Sequence, residues 1–394
     1  MFEHVVLRRA EGGSPVTAGQ VAEALLYYQK VQLVIDRGTL FQLVKQVGIK
    51  CLRQLLQRPE LSSVYCEETL GTHSTSVGVT QFYNYVAVSF TGDQNKRLNS
   101  PEERLAFELE RQGIPRKAAR EFSKWSSLHI PNRTYSGNHF LKGGIVTAAR
   151  RDLSDAEFVR EAIQQAIAAL TPGYRSNEDL QFDLLDTEQG YCAFSNIDFS
   201  AINSHRAKMT PPMEAITVAH LLTNILEARA DLAMASHYAG DFVTSSVASS
   251  IIRVRYAELL RRSQLNSESR QQFVDVLLPN APSLCEAIDS GERSIEDFFR
   301  LLDKGDRFRN WLGAANPDEN LVHAYIRDIA AEPWTQGIAV KSIRYALTTA
   351  LGLAGLGIGV VSGIADTFVI DKLLSGWRPN HFVDKNLLPF VRGH

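Results

Sequence analysis

The sequence predicts an α+β protein, with an N-terminal mixed α/β sheet domain over 1–205 and an all-helical C-terminal domain over 206–394. Three observations carry this prediction. Short β-branched apolar runs alternate with helical spacings in the first half. From Pro211 onward only helical spacings recur. The stretch from Ser204 to Pro212 breaks the pattern between the two.

Taken in order, Val5 to Leu7 is a short strand. Thr17 and Gln20 form a capping box that opens a helix through Tyr28. Val31 to Ile35 alternates apolar and polar side chains and ends in a turn at Asp36-Arg37-Gly38. Leu40, Leu43, Val44 and Val47 share a helix face, as do Leu52, Leu55 and Leu56 before Pro59 stops the second helix. Ser62 to Cys66 is a strand, Gly71 to Ser76 a polar loop, and Phe82 to Phe90 an aromatic, β-branched strand. Ser100-Pro101-Glu102-Glu103 supplies a cap, an N1 proline and a box-closing glutamate. Ser154 with Glu157 opens a helix to Leu170. Leu180 to Leu185 and Tyr191 to Phe199 flank Thr187-Glu188-Gln189-Gly190 as a hairpin that could extend the N-terminal sheet. Helices are then expected over Met213–Tyr238, Ser246–Arg262, Glu268–Leu277, Ser294–Leu302 and Pro317–Ala330.

With 394 residues, 44% hydrophobic and 22% charged, the chain is long enough for two or three domains and a substantial core. A net charge of −2 gives no global attraction for nucleic acid or an anionic surface. Cys51, Cys66, Cys192 and Cys285 form no Cys-x-x-Cys pair, which predicts free thiols in a reducing cytoplasm. Met1 to Ala10 carries Glu3, Arg8 and Arg9 and has no apolar h-region, so no signal peptide is expected there.

Tyr345 to Ala365 has no charged residue and repeats glycine at Gly355, Gly359 and Gly363. Its length suits a bilayer span, with Trp334 and Trp377 outside the ends. The strong apolar residues within it contribute only roughly 3–4 kcal/mol to insertion, against five glycines and Thr348, Thr349 and Ser362. A helix apolar on every side is also what a buried soluble helix looks like. The expectation is therefore a Gly-rich core helix at 345–365, followed by a docking tail from Ala365 to Asn380.

Four sets of residues have chemical potential. Asp36, Glu67 and Glu68 fall at predicted strand ends. Carboxylates converging at a sheet edge can hold Mg²⁺ or Mn²⁺ and activate water for phosphodiester cleavage. Around the first of them, Val31-Gln32-Leu33-Val34-Ile35-Asp36-Arg37-Gly38-Thr39-Leu40 resembles the opening of PIN-type nucleases, in which a strand ends in a metal-binding aspartate. That resemblance implies further acidic ligands, for which Asp93, Glu102 and Glu103 are the candidates. His220, Asn224, Glu227 and Asp231 fall on one helical stripe, opposite Leu221, Leu222, Ile225, Leu226 and Leu232. An imidazole and two carboxylates so spaced can bind a divalent metal or act as an acid/base pair, yet a solvated polar face or interdomain hydrogen bonds look the same. Arg116, Lys117, Arg120 and Lys124 form a basic stripe beside Trp125, suited to an acidic partner or a phosphate backbone. Further arginines cluster at Arg150-Arg151, Arg253/Arg255 and Arg261-Arg262. Finally, hydroxyls flank His73 in Gly71-Thr72-His73-Ser74-Thr75-Ser76, but no nucleophile elbow or phosphate-loop motif accompanies them.

Because no catalytic constellation stands out, the sequence favours a non-catalytic cytoplasmic regulator or sensor without a cofactor. The expected partner is a protein; nucleic acid, a membrane contacted through 345–365 and a second copy of the chain are the alternatives. A bacterial stress or phage-defence system would suit such a regulator, although no residue specifies it. The competing functions are a metal-dependent nuclease or phosphohydrolase built on Asp36, Glu67 and Glu68, and a membrane effector acting through 345–365.

Overall fold

A computed structural model describes residues 3–9, 13–89, 98, 100–174, 179–255, 277–278, 281–314 and 379–393. The apolar stretch 345–365, the helices expected at Glu268–Leu277 (but for Leu277) and Pro317–Ala330, most of the docking tail, and Asp93, Arg261 and Arg262 lie outside the described residues. Among the described residues no helix is long and apolar enough to cross a membrane.

The chain has the α+β character its sequence predicts, with two separate sheets among the described residues. The first is entirely parallel, in the order β6-β3-β2-β1-β9, from β1 (His4–Leu7), β2 (Lys30–Ile35), β3 (Leu61–Cys66), β6 (Asn132–Arg133) and β9 (Asp241–Phe242). The second is antiparallel, in the order β4-β5-β8-β7, from β4 (Glu68–Val77), β5 (Thr80–Ser89), β7 (Phe182–Thr187) and β8 (Gly190–Ser195).

Alternation along the parallel strands divides the apolar side chains between two cores. Val5, Leu7, Val31, Leu33, Ile35 and Leu61 face one core, and Val6, Val34, Val64 and Cys66 the other. The first core is closed by α1 (Ala18–Tyr27), α2 (Arg37–Leu56), α3 (Pro101–Arg111) and α4 (Arg116–His129). Much later chain completes it: α10 (Leu284–Asp289), α11 (Ile295–Lys304), α12 (Asp306–Ala314) and a C-terminal helical segment. That segment comprises α13 (Pro379–Phe382), a π-helical turn (Val383–Leu387) and α14 (Leu388–Arg392). Phe382 stacks on Phe308 of α12 at 5.0 Å between ring centroids. The second core holds α5 (Ile145–Asp152), α6 (Ala156–Leu170), α7 (Phe199–Ala207), α8 (Val218–Tyr238) and α9, described over 246–255. It also takes the inner face of the antiparallel sheet, where Tyr85 donates to the Leu222 carbonyl at 2.8 Å.

The start signals act as read. Thr17 accepts from the Gln20 amide and Gln20 returns the bond to Thr17. Ser100 caps α3 with Pro101 in its first turn. Two helical faces occupy α2, and Gly48 breaks it between them at φ 73°. The hairpin turns at Gly190, whose φ of 127° disfavours a side chain.

Other readings need correction. Asp36-Arg37-Gly38 is not a turn. Asp36 is the N-cap of α2, and its carboxylate accepts from the Thr39 amide at 2.8 Å. Asp155, not Ser154, caps α6. Gly71 to Ser76 is not a loop but part of β4, paired with β5 throughout. Solvent covers that part of the strand, so threonine propensity replaces the apolar signal there. The β7–β8 hairpin does join an N-terminal strand, β5, but that strand belongs to a second, antiparallel sheet and not to the parallel one. Past residue 205 the described elements are helical except β9, which pairs with β1.

Candidate functional site

In the parallel sheet the chain winds from β1 outward to β3, and β9 later takes the opposite side of β1. This reversal is the place where open parallel sheets usually leave a ligand crevice, just beyond the carboxyl ends of the strands. Here Arg8, the residue after β1, fills it. Its Nε donates to Asp231 at 2.6 Å, and its Nη2 donates to the Glu227 carboxylate. Thr244, just past β9, donates to the other Asp231 oxygen at 2.5 Å. The side chains of Arg8, Glu227 and Asp231 are only 4%, 6% and 2% exposed. Burial works against the Arg8 charge, but Asp231 and Glu227 outweigh it and hold its pKa well above the ordinary value. Tyr135 hydrogen-bonds Arg8 and Cys66, and burial keeps its phenol protonated. The crevice is closed by a paired polar plug.

This plug corrects the reading of α8. Glu227 and Asp231 come together, four residues apart, but on a buried guanidinium. His220 does not join them. It closes the capping box at the start of α8, where its Nδ1 accepts from the Thr217 amide at 3.2 Å. Seven residues of helix separate it from Glu227, about 10 Å. Asn224 donates to the His220 carbonyl at 2.8 Å. Among the described residues no group of three His, Cys, Asp or Glu side chains is placed to hold a metal ion.

Each member of the acidic set has a separate task. Asp36 caps α2 and lies 3.4 Å from Arg9. Glu67 takes both nitrogens of Arg104 in a fork, at 2.5 and 2.7 Å. Glu68 is buried and accepts from the amides of Tyr135 (2.6 Å) and Ser136 (2.9 Å) and from the Ser136 hydroxyl (2.6 Å). Neighbouring residues of an extended link point to opposite sides, so Glu67 serves the first core and Glu68 the second. Glu102 and Glu103 lie in the first turn of α3.

The basic stripe is placed as expected. Arg116, Lys117, Arg120 and Lys124 are all exposed on α4, with Arg116 and Arg120 within 4.0 Å of Glu110. Trp125 is not available beside them. It is buried between Arg53, 5.2 Å from its ring, and His129, stacked at 5.0 Å. Arg255 is held by Asp152 and Asp155, and Arg150 donates to the Tyr85 carbonyl. His73 and its hydroxyl neighbours lie along exposed β4.

An unpredicted cleft opens beyond the carboxyl ends of β2 and β3. It has about 80 Å³ of free volume, room for roughly five waters or one anionic group. Its walls are Arg37, Phe41 and Tyr65 on one side and Arg104, Phe107, Glu108 and Arg111 of α3 on the other, with Glu67 between. Glu108 lies 3.5 Å from Arg37 and 3.9 Å from Arg111. Arg37 covers the Phe41 ring and Arg111 the Phe107 ring at just under 6 Å. The α3 capping signal with Arg104, Glu108 and Arg111 at i, i+4 and i+7 was the sequence clue to this wall.

The four cysteines are free. Burial, with help from Glu296, pushes the Cys51 thiol up to about 11. Burial likewise pushes Cys66 and Cys285 up to about 12. At pH 8 Cys51 is expected to label on the order of a hundredfold, and Cys66 and Cys285 on the order of a thousandfold, more slowly in the folded protein than after unfolding, because the thiolate is the reactive form. Rapid labelling of Cys51, Cys66 or Cys285, mapped by mass spectrometry, would contradict this placement.

No protein-family model, curated protein or solved structure matches the chain. The PIN-type resemblance stays confined to residues 31–40.

Proposed function

We propose that the protein is a non-catalytic sensor that binds a small anionic ligand in the cleft beside α3 and signals through the α3–α4 hairpin. The observation that carries this reading is that one hairpin bears both features. The α3 helix forms the arginine wall of the cleft, and α4, packed against it through the Ser123 hydroxyl and the Glu102 carbonyl, bears the basic stripe. The Glu108 contacts to Arg37 and Arg111 are long and half-exposed, worth no more than about 1 kcal/mol. A carboxylate or phosphate held in a fork by the same arginines is a stronger partner. Its entry would release Glu108 and move α3, and with it the face presenting Arg116, Lys117, Arg120 and Lys124 to an acidic macromolecular partner. The separate tasks of Asp36, Glu67 and Glu68 weigh against the nuclease alternative.

The test has two arms. Inorganic phosphate, AMP and citrate are titrated against the full chain, and at least one is expected to raise the melting temperature. At a hundredfold excess over Kd the gain is about 2.7 kcal/mol. Arg37→Gln/Arg111→Gln should remove that response. In the second arm, labelled DNA and RNA are incubated with Mn²⁺. No response to any of the anions, or cleavage that disappears in Asp36→Ala, would reject the reading.

A further inference from the structure

We propose a second anion site, independent of the first, in the cleft between α11 and the C-terminal helical segment, suited to a phosphate group. The cleft holds about 450 Å³, the size of a small-molecule site. Among the described residues, four cations line it, Arg293, Arg300 and Lys304 from the α11 side and Lys385 from the C-terminal segment, with Asp297 the one carboxylate. Leu301, Pro389 and Phe390 give it an apolar floor.

The cations are not equally engaged. Arg293 donates to the Phe390 carbonyl and braces the wall, and Arg300 pairs with Asp297. Lys304 and Lys385 form no salt bridge within 4 Å among the described residues, although the neighbouring Asp384 attracts Lys385. The negative end of the α11 dipole accounts for Lys304 in its last turn. It does not account for Lys385, which arrives from another element. That element is the π-helical turn Val383–Leu387, which contributes Lys385 and Asn386 to the lining. Such turns are rare, interrupt regular α-helical bonding and recur at functional sites. A buried reason for this one is also present, since Val383 and Leu387 are anchored in the first core. The anchoring fixes the turn and leaves its charged side facing the cleft. Like charges gathered across a shared cavity repel one another unless an anion lies between them. A phosphate offers several strong acceptors to lysine and arginine donors.

The phosphate can belong to a soluble molecule or to a lipid headgroup, and the experiment separates these sources. Pyrophosphate is titrated calorimetrically into the full chain at low ionic strength. Sedimentation is run with phosphatidylcholine vesicles with and without phosphatidic acid. Binding to pyrophosphate alone identifies a soluble phosphate, binding to phosphatidic acid vesicles alone a headgroup, and binding to both the shared chemistry. In each case Lys304→Gln/Lys385→Gln is expected to lower the affinity at least tenfold with an unchanged melting temperature, since both side chains are on the surface, and Arg300→Gln should weaken it too. Failure of both probes to bind, or binding that the double variant retains, would overturn the assignment. Lipid association through 345–365 alone would appear as the second of these.

Discussion

Replacing Arg8 with alanine is expected to destabilise the fold by about 3–5 kcal/mol, a large part of the stability of most domains. The cost does not come mainly from the lost attraction. It comes from leaving Glu227 and Asp231, both under a tenth exposed, as buried carboxylates without their guanidinium counter-charge beneath the parallel sheet. Arg8 reaches both carboxylates because it follows Val6 by two residues and so points to the same face, toward α8. The asymmetry between breaking and replacing such a group sharpens the test. An apolar version, Arg8→Met with Glu227→Leu and Asp231→Leu, is expected to recover most of the loss or exceed the parent, because no buried charge remains. Urea unfolding of the parent, the single variant and the triple variant reads this directly. If Arg8→Ala costs less than about 1 kcal/mol, the plug is open to water and the strand-end crevice beside it is accessible.

The sequence made the local elements legible where one residue type controls the outcome. The boxes at Thr17, the cap at Ser100 and the glycine of the β7–β8 turn are local, and they fold as read. The short apolar strands β1, β2 and β3 were equally plain. What stayed hidden depends on partners far along the chain. A solvated stripe and interdomain hydrogen bonds could not be told apart for Glu227 and Asp231, because their counter-ion lies 219 and 223 residues away. Asp241 and Phe242 carry no strand signal, and become β9 only because β1 offers an open edge. The acidic trio was misleading for a related reason: proximity to strand ends was visible, but not the direction of each side chain. The basic stripe on α4 was legible from helical spacing alone. The cleft needed Arg37 from one element and Arg104, Glu108 and Arg111 from another.

Glu68 separates a structural from a metal-binding role most directly, since Glu68→Ala is expected to cost about 2–3 kcal/mol of stability. Its carboxylate accepts three hydrogen bonds, two of them from the Tyr135 and Ser136 amides. Removing it strands the buried Tyr135 amide, at about 1–3 kcal/mol, whereas the exposed Ser136 amide and hydroxyl can turn to water at little cost. The effect spreads, because Tyr135 also hydrogen-bonds Arg8 and packs on Phe140 at 5.7 Å. Glu68→Gln should behave differently. Its carbonyl oxygen can accept from both amides, and its amide nitrogen can donate to the Ser136 hydroxyl after that hydroxyl turns. The expected loss is then about 1 kcal/mol. Urea midpoints and hydrogen exchange at Tyr135 and Ser136 measure both variants, with faster exchange expected only for alanine. A metal ligand predicts the opposite pattern. Either substitution would abolish a metal-dependent activity, and neither would greatly change the apo-protein's midpoint, because relief of carboxylate repulsion would offset any lost bonds.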